Sequence, residues 1–205
     1  LNLHSGDLKM ARRMARINID VFLAAGVDLI VTSSAGCGSN MKEYQDLLAD
    51  DPGYTEPARR FAELTQDVTE VLVDLPFDPP KAPLNRKVTY QDPCHLVHAQ
   101  RISSQPRAIL NAIPGLELVE MEESSKCCGG AGIYSAAQPE LSAKILGTKM
   151  GHIAATGASQ VITANPGCMV QIEQGLRQMG TSARVLHVVD ILDEAYREEQ
   201  PPGRS

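Results

Sequence analysis

The chain has 205 residues and a formal net charge of −6. This acidic balance argues against a nucleic-acid or anionic-membrane surface, and no apolar run approaches the roughly 18 residues that a membrane-spanning helix needs. Five cysteines is an odd number for a disulfide framework and fits a reducing compartment, so the sequence predicts a cytoplasmic protein.

Helical and strand patterns alternate from the start of the chain. Residues 7–25 carry apolar side chains at helical spacing, and VDLIVTSSAG after them is typical of a short buried strand that enters a loop. Two further helices are predicted, over NMKEYQDLLA and over TEPARRFAELTQDVTEVLVDL. Four prolines within residues 76–83 then predict a stiff linker.

The alternation resumes after the prolines. KVTYQD is a predicted strand that leads to a loop at Cys94, and QPRAILNAI is a predicted helix. The strand LELVEM leads to Cys127 and Cys128, and residues 138–155 are helical. QVITAN leads to a helix that starts at Cys168, and ARVLHVVDILDEAYREE is a strand turning into a last helix. This order predicts an α/β protein with short parallel sheets flanked by helices.

The sequence contains an internal repeat. AAGVDLIVTSSAGC at residues 24–37 falls on ATGASQVITANPGC at 155–168 after a shift of 131, with five identities in fourteen positions, including Gly-Cys after the strand. The same shift would place the first copy's double cysteine before Leu1. We therefore expect two pseudo-repeated units, the first truncated at its N-terminus, with Cys37 as the only remnant of its site.

The predicted organisation has four parts. Residues 1–75 are the remnant of the first repeat, 76–85 a proline-rich linker, 86–199 the complete second repeat, and 200–205 a disordered tail.

The second repeat brings four cysteines together. Thirty-two residues separate Cys94 from the Cys127–Cys128 pair, and thirty-nine separate that pair from Cys168. Each position follows a predicted strand, and the carboxyl ends of parallel strands meet at one edge of a sheet. Four thiolates suit a [4Fe–4S] cluster or a structural zinc ion, and the neighbouring CCGG and NPGC segments supply backbone N–H groups for the sulfurs.

Plainer interpretations stand beside this one. A single buried cysteine is more often a small core residue than a ligand, and Cys37 without partners would be an idle thiol. His95 and His98 lie close to Cys94 in sequence, and a supporting hydrogen bond is favoured over ligation for both.

The motifs YQDPCHLVHAQ, KCCGGAGIYSAAQPELS and ANPGCMVQI resemble the cysteine-rich CCG family. This family occurs in heterodisulfide reductase B subunits, lactate-utilisation proteins and glycolate oxidase iron–sulfur subunits, and the chain is most similar to the last of these. HSGDLKMARRMARINIDVF and SSAGCGSNMKEY resemble the end of a first family copy. The chain departs from the pattern where Gln171 and Asn40 stand in place of each copy's last cysteine.

The resemblance implies an electron-transfer subunit of a flavin-linked 2-hydroxy-acid dehydrogenase. Cys94, Cys127, Cys128 and Cys168 would hold a [4Fe–4S] cluster, since four cysteines favour an ordinary cubane. The partner would be a flavin-containing subunit, and a quinone acceptor could bring the complex to the inner face of the membrane. The isolated chain is expected to be inactive. Two alternatives are a zinc-stabilised interaction module and a heterodisulfide-reductase-like thiol catalyst.

Overall fold

The computed structural model describes residues 2–76 and 78–199, and within them helices and parallel strands alternate. The predicted tail at 200–205 lies outside the described residues, as does Phe77 of the predicted linker. The strands are β1 (Ile30–Thr32), β2 (Thr65–Asp67), β3 (Arg86–Tyr90), β4 (Leu116–Val119), β5 (Gln160–Thr163) and β6 (Arg184–His187). The helices are α1 (Leu8–Ala24), α2 (Ala35–Lys42), α3 (Tyr44–Leu47), α4 (Thr55–Leu64), α5 (Val68–Asp74), α6 (Ser104–Asn111), α7 (Tyr134–Ala137), α8 (Pro139–Thr156), α9 (Pro166–Gln178) and α10 (Val188–Glu198).

The second unit is built on a sheet of order β4-β3-β5-β6, with every neighbouring pair parallel. All four residues of β5 are buried, which is expected for a central strand covered by helices on both faces. Aliphatic side chains fill both layers: α6 and α10 pack on one side through Ile109 and Ile191, and α8 and α9 pack on the other through Ile153 and Ile172. The predicted α/β class is confirmed.

The first unit is smaller in the described part of the chain, where β1 pairs in parallel with β2 alone. Its core joins α1 to α4 through Ala15, Ile19 and Phe61, and the Tyr44 ring stacks on Phe61 with centroids 5.3 Å apart. Small and aliphatic side chains on one face of α1 allow this close packing.

The prediction of a single helix over residues 55–75 is wrong. The chain leaves α4 after Leu64, forms β2 beside β1, and starts α5 at Val68. Asp67 caps α5 by accepting a hydrogen bond from Thr69 N at 2.9 Å, and Glu70 accepts one from Asp67 N at 2.9 Å. This capping box, D-V-T-E in the sequence, starts a new helix. Pairing with β1 outweighs the helical preference of the three residues of β2.

The repeat appears as equivalent elements in the two units. A shift of 131 places α1 on α8, β1 on β5 and the start of α2 on the start of α9. The equivalence extends further: β2 with α5 repeats β6 with α10, and His187 with Asp190 forms a capping box as Asp67 with Glu70 does. Asp67 pairs with Thr32 at the end of β1, and His187 pairs with Thr163 at the end of β5, so in both units the partner of the strand's last threonine is the helix cap.

The two units meet at their equivalent helix starts. Ala35 N donates to Ala164 O at 3.3 Å, and the Asn165 side chain accepts hydrogen bonds from Ser34 Oγ and Gly36 N, each at 3.3 Å. Ser34 and Asn165 are themselves related by the shift of 131. This contact, which we call the seam, is therefore made by corresponding residues of the two copies. The domain limits at 75 and 86 stay predictions.

Candidate metal centre

Three strands of the second sheet deliver the four predicted cysteines to one place. Cys94 follows β3, the double cysteine follows β4, and Cys168 lies in the first turn of α9 after β5. All four line one cavity of about 470 Å³, which we call the thiol cavity. Cys128 and Cys168 are buried, and Cys94 and Cys127 are partly exposed. Because the strands are parallel, residues far apart in sequence converge at their carboxyl ends.

Each of the four thiols shifts the pKa of at least one of the others, in the order Cys94, Cys127, Cys128, Cys168. Hydrogen bonds from Cys128 and Cys94 lower the pKa of Cys127, and a hydrogen bond from Cys128 lowers the pKa of Cys168. The hydrogen bond to Cys127 raises the pKa of Cys94, and hydrogen bonds to Cys127 and Cys168 together with burial raise the pKa of Cys128. The four thiols therefore titrate as one interacting set.

Neighbouring N–H groups point at two of the sulfurs. Gly129 N donates to Cys127 Sγ at 3.3 Å, and Asn165 Nδ2 donates to Cys168 Sγ at 3.3 Å. Cys168 also sits in the first turn of α9, where the helix dipole favours negative charge. Within NPGC, the side-chain amide of Asn165 donates to the Cys168 sulfur, whereas the sequence predicts backbone N–H groups there.

The glycines after the double cysteine allow a tight approach to α8. Gly129 has φ +92°, and a Cβ there would lie 2.6 Å from Ser142 O. The Ser142 hydroxyl donates to Gly129 O at 2.9 Å, and Gln171 Nε2 donates to that hydroxyl at 3.0 Å. Gln171, which replaces the family's last cysteine, thus supports the loop through Ser142.

The two histidines contribute differently. His95 lines the thiol cavity, with Nδ1 3.6 Å from Cys94 Sγ. His98 Nε2 lies 3.2 Å from Ser125 O, on the segment that leads into the double cysteine. A supporting role for His98 agrees with this contact, and both assignments remain predictions.

Cys37 occupies an unexpected position. It is exposed on α2 and lines the same thiol cavity, on the wall formed by the first unit. Asn40 and Tyr44 lie on the same wall. The sequence shift relates Cys37 to Cys168 but says nothing about how the two units dock, so it could not predict that one cavity contains both.

Asp92 is a residue that sequence reasoning missed. Its carboxylate is buried, accepts hydrogen bonds from Arg107 Nη1 at 2.9 Å and Nη2 at 2.8 Å, and accepts another from Ser124 Oγ at 2.7 Å. Hydrogen bonds to Asp92 and Glu120 raise the pKa of Arg107. Asp92 therefore connects the segment just before Cys94 to the double-cysteine loop, residues 123–130, and its place in the QDPC motif is its signal in the sequence.

The donor set fits a thiolate-bound metal group. Four soft sulfur ligands in one cavity, two of them accepting N–H hydrogen bonds, match the chemistry of iron–sulfur or zinc sites. Among residues 2–76 and 78–199, no three His, Cys, Asp or Glu side chains surround a position for a single metal ion, so the fit of the four thiols lies in their chemistry and shared cavity and not in a preformed single-ion geometry.

The fold and site define a class: a duplicated α/β protein with cysteines at the strand ends of its second copy. A family model described as "Cysteine-rich domain", CCG, matches residues 2–42 and 88–173. The chain therefore belongs to the CCG cysteine-rich domain family, and the resemblance predicted from the sequence is confirmed. The two matched segments correspond to the two copies of the repeat.

Two curated relatives match nearly the whole chain. The probable glycolate oxidase iron–sulfur subunit of Bacillus subtilis (strain 168) is 42% identical over 199 residues, which are 95% of this chain and 45% of that protein. Lactate utilization protein A of Shouchella clausii (strain KSM-K16) is 32% identical over 191 residues, 93% of this chain and 79% of that protein. The chain thus spans less than half of the first relative.

One solved structure shares the fold. A hypothetical protein from Helicobacter pylori superposes with a TM-score of 0.66 at 13% identity, covering 95% of this chain and 39% of that chain. The described helices include none with the length and apolar character needed to cross a membrane.

Proposed function

We propose that this chain is the cluster-bearing part of an electron-transfer subunit in a flavin-linked 2-hydroxy-acid dehydrogenase of the glycolate type. The convergence of four thiols from three strand ends on one cavity carries the proposal. The names of both relatives support it, since one is a probable glycolate oxidase iron–sulfur subunit and the other a lactate utilization protein.

Cys94, Cys127, Cys128 and Cys168 would hold the group, which we propose to be a [4Fe–4S] cluster. Such a cluster, when bound, exchanges single electrons. The chain's own residues supply the four ligands, the N–H donors on Cys127 and Cys168, and walls that limit water at the buried sulfurs. Oxidation of the 2-hydroxy acid to a 2-oxo acid would occur at the flavin of a partner subunit, which releases the two electrons.

The proposed complex is cytoplasmic, with access to a quinone acceptor at the inner face of the membrane. The acidic chain carries no cationic excess for anionic lipid, so a partner would provide any membrane contact.

Anaerobic reconstitution with iron and sulfide tests the cofactor. The chain should take up about four iron and four sulfide, absorb in the visible range, and give an electron-paramagnetic signal after reduction. Cys128→Ser should lose most of that absorbance, because serine is a harder and poorer ligand for iron in this site.

Cys37→Ser is the matched control, because it makes the same change on the opposite wall of the cavity. It should keep the wild-type iron content. Equal loss in both variants would contradict the four-ligand assignment, and purified protein that holds only zinc would contradict the electron-transfer function.

A further inference from the structure

A buried lysine lies behind the double cysteine. Lys149 is only 2% exposed, on the face of α8 whose neighbours Leu146 and Met150 pack with Cys128 and Cys168. Lysine is rarely buried this completely unless its ammonium group has partners. Its position in a helix with no family cysteine gives no signal in the sequence.

The ammonium group bonds to the double-cysteine loop, residues 123–130. Lys149 Nζ donates to Glu123 O at 2.7 Å and to Ser124 O at 3.1 Å. The next carbonyl, Ser125 O, lies 3.2 Å from His98 Nε2, and the Ser124 hydroxyl donates to buried Asp92. Residues 123–125 are thereby held by contacts with Lys149, His98 and Asp92.

The charge of Lys149 acts on the thiols as well. Burial lowers the pKa of Lys149, and the acidic groups of Cys128, Asp92, Cys127 and Cys168, whenever they are ionised, oppose that shift. The reciprocal effect is that a buried cation stabilises negative charge on the sulfurs, and such an interaction is stronger in a low-dielectric interior than in water.

We propose that Lys149 is a positioning residue for the metal centre: it fixes the double-cysteine loop and supplies the buried positive charge that raises the reduction potential of the group bound there. The second half rests on the proposed function. The first half concerns this chain's own loop and holds with or without a bound group.

The test compares Lys149→Met with Lys144→Met. Both remove one positive charge from α8, but Lys144 is exposed. In the metal-free chain, amide hydrogen exchange over residues 123–130 should become roughly tenfold faster or more in Lys149→Met, because two charge-assisted hydrogen bonds are lost. Lys144→Met should match the wild type.

In the reconstituted chain, Lys149→Met should have a more negative midpoint potential than Lys144→Met, because reduction adds negative charge beside a site that has lost its cation. Lys149→Arg, which keeps the charge, should restore most of the wild-type potential. If Lys149→Met does not fold, Lys149→Gln replaces it in both measurements, since it removes the charge but keeps one donor group.

The outcomes separate the two ideas. If Lys149→Met and Lys144→Met have the same amide hydrogen exchange rates and the same midpoint potential, the proposal is overturned. Faster exchange with an unchanged potential supports the loop contact and overturns the electrostatic half. A wild-type chain that takes up no iron contradicts the proposed function, and exchange alone then decides whether Lys149 holds the loop.

Discussion

At the scale of single residues, the double-cysteine loop shows what a sequence can and cannot reveal. The glycines after Cys128 predict a sharp turn, and Gly129 does adopt a left-handed φ. Its neighbours Ser142 and Gln171 come from other helices, and ordinary polar residues on a helix carry no sign of the loop they will meet. The meeting of the four cysteines in one cavity was predictable because their spacing places them after successive strands, whereas the supporting contacts depend on packing.

Gly129→Ala is expected to destabilise the fold by about 1–3 kcal/mol, because its Cβ would meet Ser142 O and its φ suits glycine. Gly147→Ala is the control. Gly147 lies inside α8, and a Cβ added there would meet open space. The substitution should therefore stabilise the chain by about 0.5–1 kcal/mol. Urea unfolding of both variants measures the difference. A Gly129→Ala chain as stable as Gly147→Ala would show that the loop relaxes freely.

At the scale of elements, periodicity located the strands and helices around each cysteine but failed at β2. The helices predicted at 7–25 and 138–155 agree closely with α1 and α8. The segment 55–75 has helical periodicity throughout, so only the capping box at Asp67 indicated a second helix start. Strand pairing with β1 is a long-range interaction, and a local pattern cannot predict it.

Asp67→Ala should lower the free energy of unfolding by about 1–2 kcal/mol, because α5 loses its cap and Thr69 N loses its partner. Asp74→Ala, at the exposed last position of α5, should cost nothing measurable, since a negative charge there opposes the helix dipole. Denaturant titrations of the two variants provide the measurement. Equal stabilities would mean that the cap does not determine where α5 begins.

At the scale of the whole molecule, the sequence predicted the duplication but not the docking of its copies. Asn165 connects them: its oxygen accepts hydrogen bonds from Ser34 and Gly36 of the first unit, while its nitrogen donates to Cys168 of the second. The Asn165 side chain thus connects the seam to the thiol cavity.

Asn165→Asp should keep the acceptor for the first unit but place a carboxylate oxygen beside the Cys168 sulfur. If the cavity holds an iron–sulfur group, the variant should bind iron with a roughly tenfold to hundredfold lower affinity than the wild type, measured by competition with a chelator. Asn111→Asp, an exposed position at the end of α6, provides the same chemical change away from the cavity. Matching iron retention in the two variants would show that the Asn165 amide is dispensable.

The seam also has an evolutionary meaning. When two identical subunits associate about a twofold axis, residues on the axis touch their own counterparts. Ser34 and Asn165 are counterparts and touch, as residues on such an axis do. A contact of this kind is what an ancestral homodimer would leave if its gene duplicated and the two copies fused. Since fusion frees each copy to change alone, the second copy could supply the four cysteines of the thiol cavity while the described part of the first copy forms the opposite wall.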